Sequence, residues 1–209
     1  MIENGKIRNP AVAGQFYPND PEHLKGVLSK YIRSDSQVDQ GAIRGIIAPH
    51  AGYSFSGPTA GKAYALLKGR TDIKRVVILA PSHRVPFEGV SVGDFVSYRT
   101  PIGDIDVDTE SCSQLVNSSS CFVKKPEAQA FEHALEVQLP FLQTVLNKFT
   151  LVPLVCGQLS EQIMKEAASK LAGHFWQKNT LWIISSDFTH YGSAFGYVPF
   201  SENIAARLE

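Results

Sequence analysis

Three short apolar runs in this chain each stop at a polar cluster that contains histidine. The first is Ile46-Ile47-Ala48, followed by Pro49-His50, within the stretch GIIAPHAGYSFSG from Gly45 to Gly57. In the second, Val76 to Leu79 runs into Ala80-Pro81-Ser82-His83. In the third, Leu181 to Ile184 runs into Ser185-Ser186-Asp187-Phe188-Thr189-His190. Apolar runs of this length read as strands buried on both faces, as in a parallel sheet. Pro49 stops the first ladder because it has no N–H to donate. Open α/β sheets bind ligands beyond the carboxyl ends of their strands. If the three runs are parallel neighbours, His50, His83, Asp187 and His190 emerge together at one edge of the sheet.

The intervening chain supports that arrangement. Asp20 is a good N-cap and Pro21 suits the first helical position, so a helix is predicted with Leu24, Val27, Leu28, Tyr31 and Ile32 as its apolar stripe. Residues Ser34 to Gly41 are polar and aperiodic and read as a loop. A strand is expected over Ile43 to Ala48, a helix from Pro58 to about Leu67, and a strand over Arg75 to Ala80. Strand, helix, strand is the βαβ pattern of parallel pairing with a right-handed crossover. Gly89 to Val107 changes style and reads as a hairpin beside the main sheet, with its turn at Thr100-Pro101-Ile102-Gly103. Asp108 or Thr109 caps a further helix to about Asn117, and a short strand follows from Cys121 to Val123. Pro140 forbids one undisturbed helix from Phe131 to Asn147. A strand is expected over Leu151 to Val155, weakened by Pro153. Ser160 caps a helix with Ile163, Met164, Ala167, Ala168 and Leu171 inward, ended by Gly173. The last strand is expected over Thr180 to Ser185.

Composition excludes several function classes. Lys plus Arg and Asp plus Glu are 20 each, so no basic excess is available for nucleic acid or an anionic membrane. Three widely spaced cysteines with no CxxC point to free thiols in a reducing compartment. Met1 to Asn4 carries no signal-peptide pattern, and no apolar stretch approaches the ~20 residues of a membrane span. The expectation is a cytoplasmic protein.

A single histidine near a strand end is ordinarily structural; the shared position carries the argument. Four convergent ionisable groups in a cleft resemble a metal site or an acid/base site. Histidine with carboxylate suits iron or zinc. Gly52 and Gly57 would let backbone approach a ligand closely, and Tyr53, Phe55 and Tyr191 could supply apolar walls. His23 and His174 read as surface residues and Cys156 as core packing.

The motifs AGQFYP, APHAGYSFSG, APSHR, EHALEVQLPF and SSDFTHYG, in that order, resemble the Memo-like family, whose bacterial and archaeal members are called AmmeMemoRadiSam system protein B. The likeness runs from about Ala13 to Gly192. It implies an α/β fold like that of the class III extradiol dioxygenases: a mainly parallel central sheet with helices on both faces. It implies His50 and His83 as metal-binding histidines, and Asp187 and His190 as catalytic residues in the same pocket. His133, Glu136 and Tyr53 would stand around the pocket or behind the ligands. The implied cofactor is Fe(II), with zinc or copper as alternatives. In the family a cysteine near the C-terminus completes the metal set, so the third ligand is expected to lie outside residues 1–209. The chain is accordingly read as one Memo-like domain lacking its C-terminal part.

Three functions compete. One is a non-haem iron enzyme of dioxygenase type, acting on an unidentified small molecule. Another is a non-catalytic metal- or peptide-binding adaptor, working with radical SAM and other AmmeMemoRadiSam-system proteins. The third is a hydrolase using Ser56 or Ser185 with His190 and Asp187, although neither serine sits in a G-x-S-x-G elbow.

Overall fold

A computed structural model describes residues 5–33 and 43–208. The loop expected over Ser34 to Gly41 and the N-terminal residues Met1 to Asn4 lie outside the described residues. In chain order the elements are β1 (Ile7–Arg8), α1 (Pro21–Tyr31), β2 (Gly45–Ala48), α2 (Tyr53–Ala65), β3 (Arg75–Pro81), β4 (Val90–Val92), β5 (Ser97–Thr100) and β6 (Gly103–Asp106). They continue as α3 (Thr109–Ser118), β7 (Phe122–Lys124), α4 (Pro126–Ala130), α5 (His133–Glu136), α6 (Leu139–Val145), β8 (Thr150–Cys156), α7 (Glu161–Phe175), β9 (Thr180–Ser185) and α8 (Ile204–Leu208).

The fold is α/β. Six strands form the central sheet in the order β2-β9-β3-β8-β4-β7, and β1, β5 and β6 form a small second sheet. All neighbours in the large sheet are parallel except β4 and β8. The three runs that end in histidine clusters are therefore adjacent: β2 pairs with β9 at Ala48↔Ser185, and β9 pairs with β3 at Leu79↔Ile184. Helices flank the sheet. α2 packs on β2 with α1 and α6 behind it, α5 lies against β3 and β8, and α3 joins α7 beside β7 and β8.

Several local expectations need correction. Ile46–Ala48 is not buried on both faces: β2 is an edge strand whose burial alternates, and Ile47 is 52% exposed. Its neighbour in register, Ile184, is 38% exposed on the same face. α2 begins at Tyr53 and takes Pro58 into its interior. Gly57 serves helix packing and not a ligand, since a Cβ there would stand 2.5 Å from the Tyr31 ring of α1. One turn on, a Cβ at Gly61 would stand 2.3 Å from the Tyr31 carbonyl oxygen, so the pair lets the two helices close together. α7 runs past Gly173 to Phe175, which is buried, whereas Met164 is 52% exposed.

Pro153 sits in mid-sheet and costs only the far end of the β4–β8 ladder. Its carbonyl accepts from Gly93 N–H on the β4 side, and a strand residue presents N and O to the same side. The last β4–β8 rung is Val92↔Leu154, so the missing N–H falls where β4 pairing has already ended.

Capping follows the sequence closely. The side chains of Asp20, Asp108 and Ser160 accept from His23, Ser111 and Ile163 N–H respectively. No helix among the described residues is long and apolar enough to cross a membrane.

Candidate metal centre

Strand ends deliver two of the imidazoles. His50 lies two residues beyond β2 and His83 two residues beyond β3. A third, His133, arrives from a different direction, as the first residue of the one-turn helix α5. One ligand atom from each of His50, His83 and His133 lies within 4.8 Å of the other two. The ring centroids are 5.2 Å apart for His50 and His83, 4.5 Å for His83 and His133, and 5.7 Å for His50 and His133. The set could hold a metal ion. The sequence reading had put His133 beside the ligands and the third donor outside the chain; the geometry offers His133 as a third donor within it.

Each ring is oriented from behind. His50 is buried, and its Nδ1 is 2.8 Å from Ser185 Oγ. The Ser185 hydroxyl donates to the Ala134 carbonyl at 2.7 Å. It accepts from Gln138 Nε2 at 3.0 Å. A hydroxyl has one proton and two lone pairs, so toward His50 it accepts, and Nδ1 is the protonated nitrogen. That leaves the Nε2 lone pair free to bind a metal.

Glu132 does the same for the second ring. Its Oε1 accepts from His83 Nδ1 at 2.9 Å and its Oε2 from His83 N–H at 2.7 Å. His133 Nδ1 lies 3.3 Å from the same Oε1. A carboxylate behind a ligating imidazole fixes the ring and raises its basicity. Burial works against ionisation of Glu132, but the bonds from the His83 side chain and backbone and from Ala134 N–H hold its carboxyl below the usual range. The hydrogen bond that His83 donates to Glu132 raises the His83 pKa, while burial lowers those of His50 and His133.

Asp187 and His190 stand at the open side. Asp187 Oδ1 accepts from His50 N–H at 2.5 Å and Ala51 N–H at 3.2 Å. Its Oδ2 is 3.8 Å from His50 Nε2 and 3.7 Å from His190 Nε2. A cavity of about 470 Å³ opens there, lined by His50, Leu79, Ile184, Asp187, Phe188 and His190 among others. Phe188 holds a left-handed backbone (φ 59°) at its mouth.

The other residues named from sequence are placed elsewhere. The Glu136 carboxylate is spent on Arg8, on Ala11 and Val12 N–H at 2.8 and 3.1 Å, and on Tyr17 OH at 2.6 Å. It fastens the AVAGQFYP lead-in to the core and does not face the imidazoles. Tyr53 is buried, with its hydroxyl donating to the Val137 carbonyl at 2.8 Å. Phe55 is 85% exposed, and Tyr191 stacks on Phe200; neither walls the cavity. Glu132, Gln138 and the acceptor role of Ser185 were missed. The Glu-His dipeptide at 132–133 was the available signal for the first.

A Memo-like protein family profile matches residues 8–208. The chain belongs to the Memo-like family. It is 37% identical over 195 residues to a MEMO1 family protein of Methanopyrus kandleri, covering 88% of this chain and 69% of the relative. A MEMO1 family protein of Thermoplasma volcanium is 38% identical over 186 residues, covering 88% and 68%. The protein memo-1 homolog of Caenorhabditis elegans is 31% identical over 198 residues, covering 94% and 56%.

Proposed function

We propose that this Memo-like chain is a metal-dependent redox enzyme of the non-haem iron, dioxygenase type. The observation that carries the reading is the three-imidazole cluster at the strand ends, with its rings held by Ser185 and Glu132. The donor set fits a divalent metal: three neutral imidazoles suit iron, zinc or copper. The Asp187 carboxylate favours iron among them, because Oδ2 at 3.8 Å from His50 Nε2 can bring a carboxylate into a histidine set. Bound iron would supply electron exchange with dioxygen and Lewis acidity.

The chain's own residues provide the rest. His50, His83 and His133 would hold the metal, and Glu132 fixes the His83 ring and lies 3.3 Å from His133 Nδ1. Phe188, Leu79 and Ile184 give the cavity an apolar part to its lining. His190, 54% exposed on its side chain and 3.7 Å from Asp187, can take up or release a proton at Nε2. Asp187 stands close enough to act on that ring by charge. Ser185 as a hydrolytic nucleophile is disfavoured, because it is 4% exposed and its proton is committed to Ala134.

The test is oxygen consumption by anaerobically iron-loaded protein with a panel of catechols. Uptake above a His83→Ala control is expected; uptake equal to that control rejects the enzyme reading. A second reading is supported by the exposed Phe188, Phe195 and Tyr197 beside the site. In it the metal organises a non-catalytic docking surface for a radical SAM partner system. Pull-down of the same partners by wild type and His50→Ala, combined with catechol turnover, would reject it.

A further inference from the structure

The loop that presents His83 also presents Arg84. Arg8, Arg70, Arg75 and Arg99 each pair with a carboxylate. Arg84 has no ion pair and no hydrogen bond among the described residues, yet it stands next to a candidate ligand. It lines a second cavity, of about 330 Å³, together with His83, Phe87, Cys156 and Gln158. This cavity meets the 470 Å³ one over Pro81 and Cys156, which line both and pair as the last rung of the β3–β8 ladder. The three-histidine cluster touches both spaces, through His50 on one side and His83 on the other.

The two spaces differ in chemistry. The larger has an apolar lining of Leu79, Ala80, Ile184 and Phe188. The smaller contains no Asp or Glu, and Arg84 is the only lysine or arginine that lines it.

We infer that the smaller cavity is a carboxylate-binding subsite, so that the molecule handled at the metal centre carries an apolar body and one carboxylate seated on Arg84. This rests on the metal-centre reading only for what happens to that molecule. A guanidinium matches a carboxylate through two parallel N–H···O bonds. A carboxylate needs no donor beyond the guanidinium itself, and three nearby backbone N–H groups are already engaged, Ser82 with the Cys156 carbonyl, Gly157 with Gly89 and Gln158 with Phe87. The apolar lining accounts for the rest of the molecule.

The test is calorimetric titration of benzoate, its neutral isostere benzamide and inorganic phosphate into metal-free protein. Benzoate is expected to bind roughly ten- to hundredfold more tightly than benzamide, the range of a charge-assisted hydrogen-bond pair. Arg84→Gln should bring benzoate to the benzamide level, and Arg99→Gln should leave the preference intact. Benzoate that binds no better than benzamide, or equally well to Arg84→Gln, overturns the subsite. Phosphate that outcompetes benzoate overturns the choice of carboxylate. Zinc titration into the same samples is read separately. Its failure removes the metal centre, while loss of benzoate preference removes only the subsite.

Discussion

The Ser185 hydroxyl meets His50 Nδ1 at 2.8 Å with its own proton already given to a backbone carbonyl. The contact therefore selects one tautomer of His50. Ser185→Ala removes the acceptor, and losses of this kind behind a ligand typically cost ~10–100-fold in metal affinity. Zinc competition against a chromophoric chelator should record that drop. Unchanged affinity would mean that His50 is not a ligand or is held by something else.

Glu132 acts on two rings at once, so its replacement should cost more than that of Ser185. Glu132→Gln removes the charge facing His83 Nδ1 and His133 Nδ1. The expected outcome is a fall in zinc affinity beyond the Ser185→Ala value, with a stability loss of roughly 1–3 kcal/mol because the Gln NH2 must face the His83 or the Ala134 backbone N–H. A smaller loss than for Ser185→Ala would remove Glu132 as the shared support.

His133 decides whether the metal set lies within this chain. His133→Ala should lower zinc affinity by more than ~100-fold, the upper end of a mere support loss. His190→Ala should change it little, because that ring stands beyond Asp187. Equal affinities for wild type and His133→Ala would return the third ligand to a position outside residues 1–209.

Away from the site, Glu136 should prove structural. Its carboxylate is fully buried with Arg8, and Arg8 in turn donates to the Glu132 carbonyl at 2.9 Å. Glu136→Gln leaves a buried guanidinium uncompensated, a loss of about 3–5 kcal/mol. Urea unfolding reads it directly; a loss below about 1 kcal/mol would contradict the pairing.

Acid stability has a specific contributor in Asp108. Burial alone would raise its pKa, but the bonds from Ser111 and from Arg75, at 2.8 Å, hold it below the ordinary carboxylate value. A depressed folded value means stability that is fully present above the unfolded pKa of ~3.9 and lost as pH falls through the folded one. The stability difference between wild type and Asp108→Asn should thus be constant near neutrality and shrink below about pH 4. A difference that grows on acidification would reverse the sign of the argument.

The strand-end histidines were legible because their positions follow from strand direction and sheet adjacency, which apolar runs and Pro49 announce. Helix caps at Asp20 and Ser160 were legible because they are local. His133 as a third donor was not, since its arrival depends on the break at residues 130–133 between two short helices. Glu132, Ser185 and Gln138 act through bonds to residues tens of positions away, and no spacing rule reports those. Glu136 was misplaced for the same reason: its partners, Arg8 to Tyr17, lie over a hundred positions upstream.

The order β2-β9-β3 means that β9, made after the other five strands of this sheet, is inserted between two made long before it. During synthesis His50, His83 and His133 all leave the ribosome ahead of Thr180–Ser185. Until that segment enters, the strands bearing His50 and His83 have no common neighbour, and Ser185 is not there to turn the first ring. A nascent chain thus carries three imidazoles but no assembled chelate. Metal occupancy would then report that β9 has been inserted between β2 and β3.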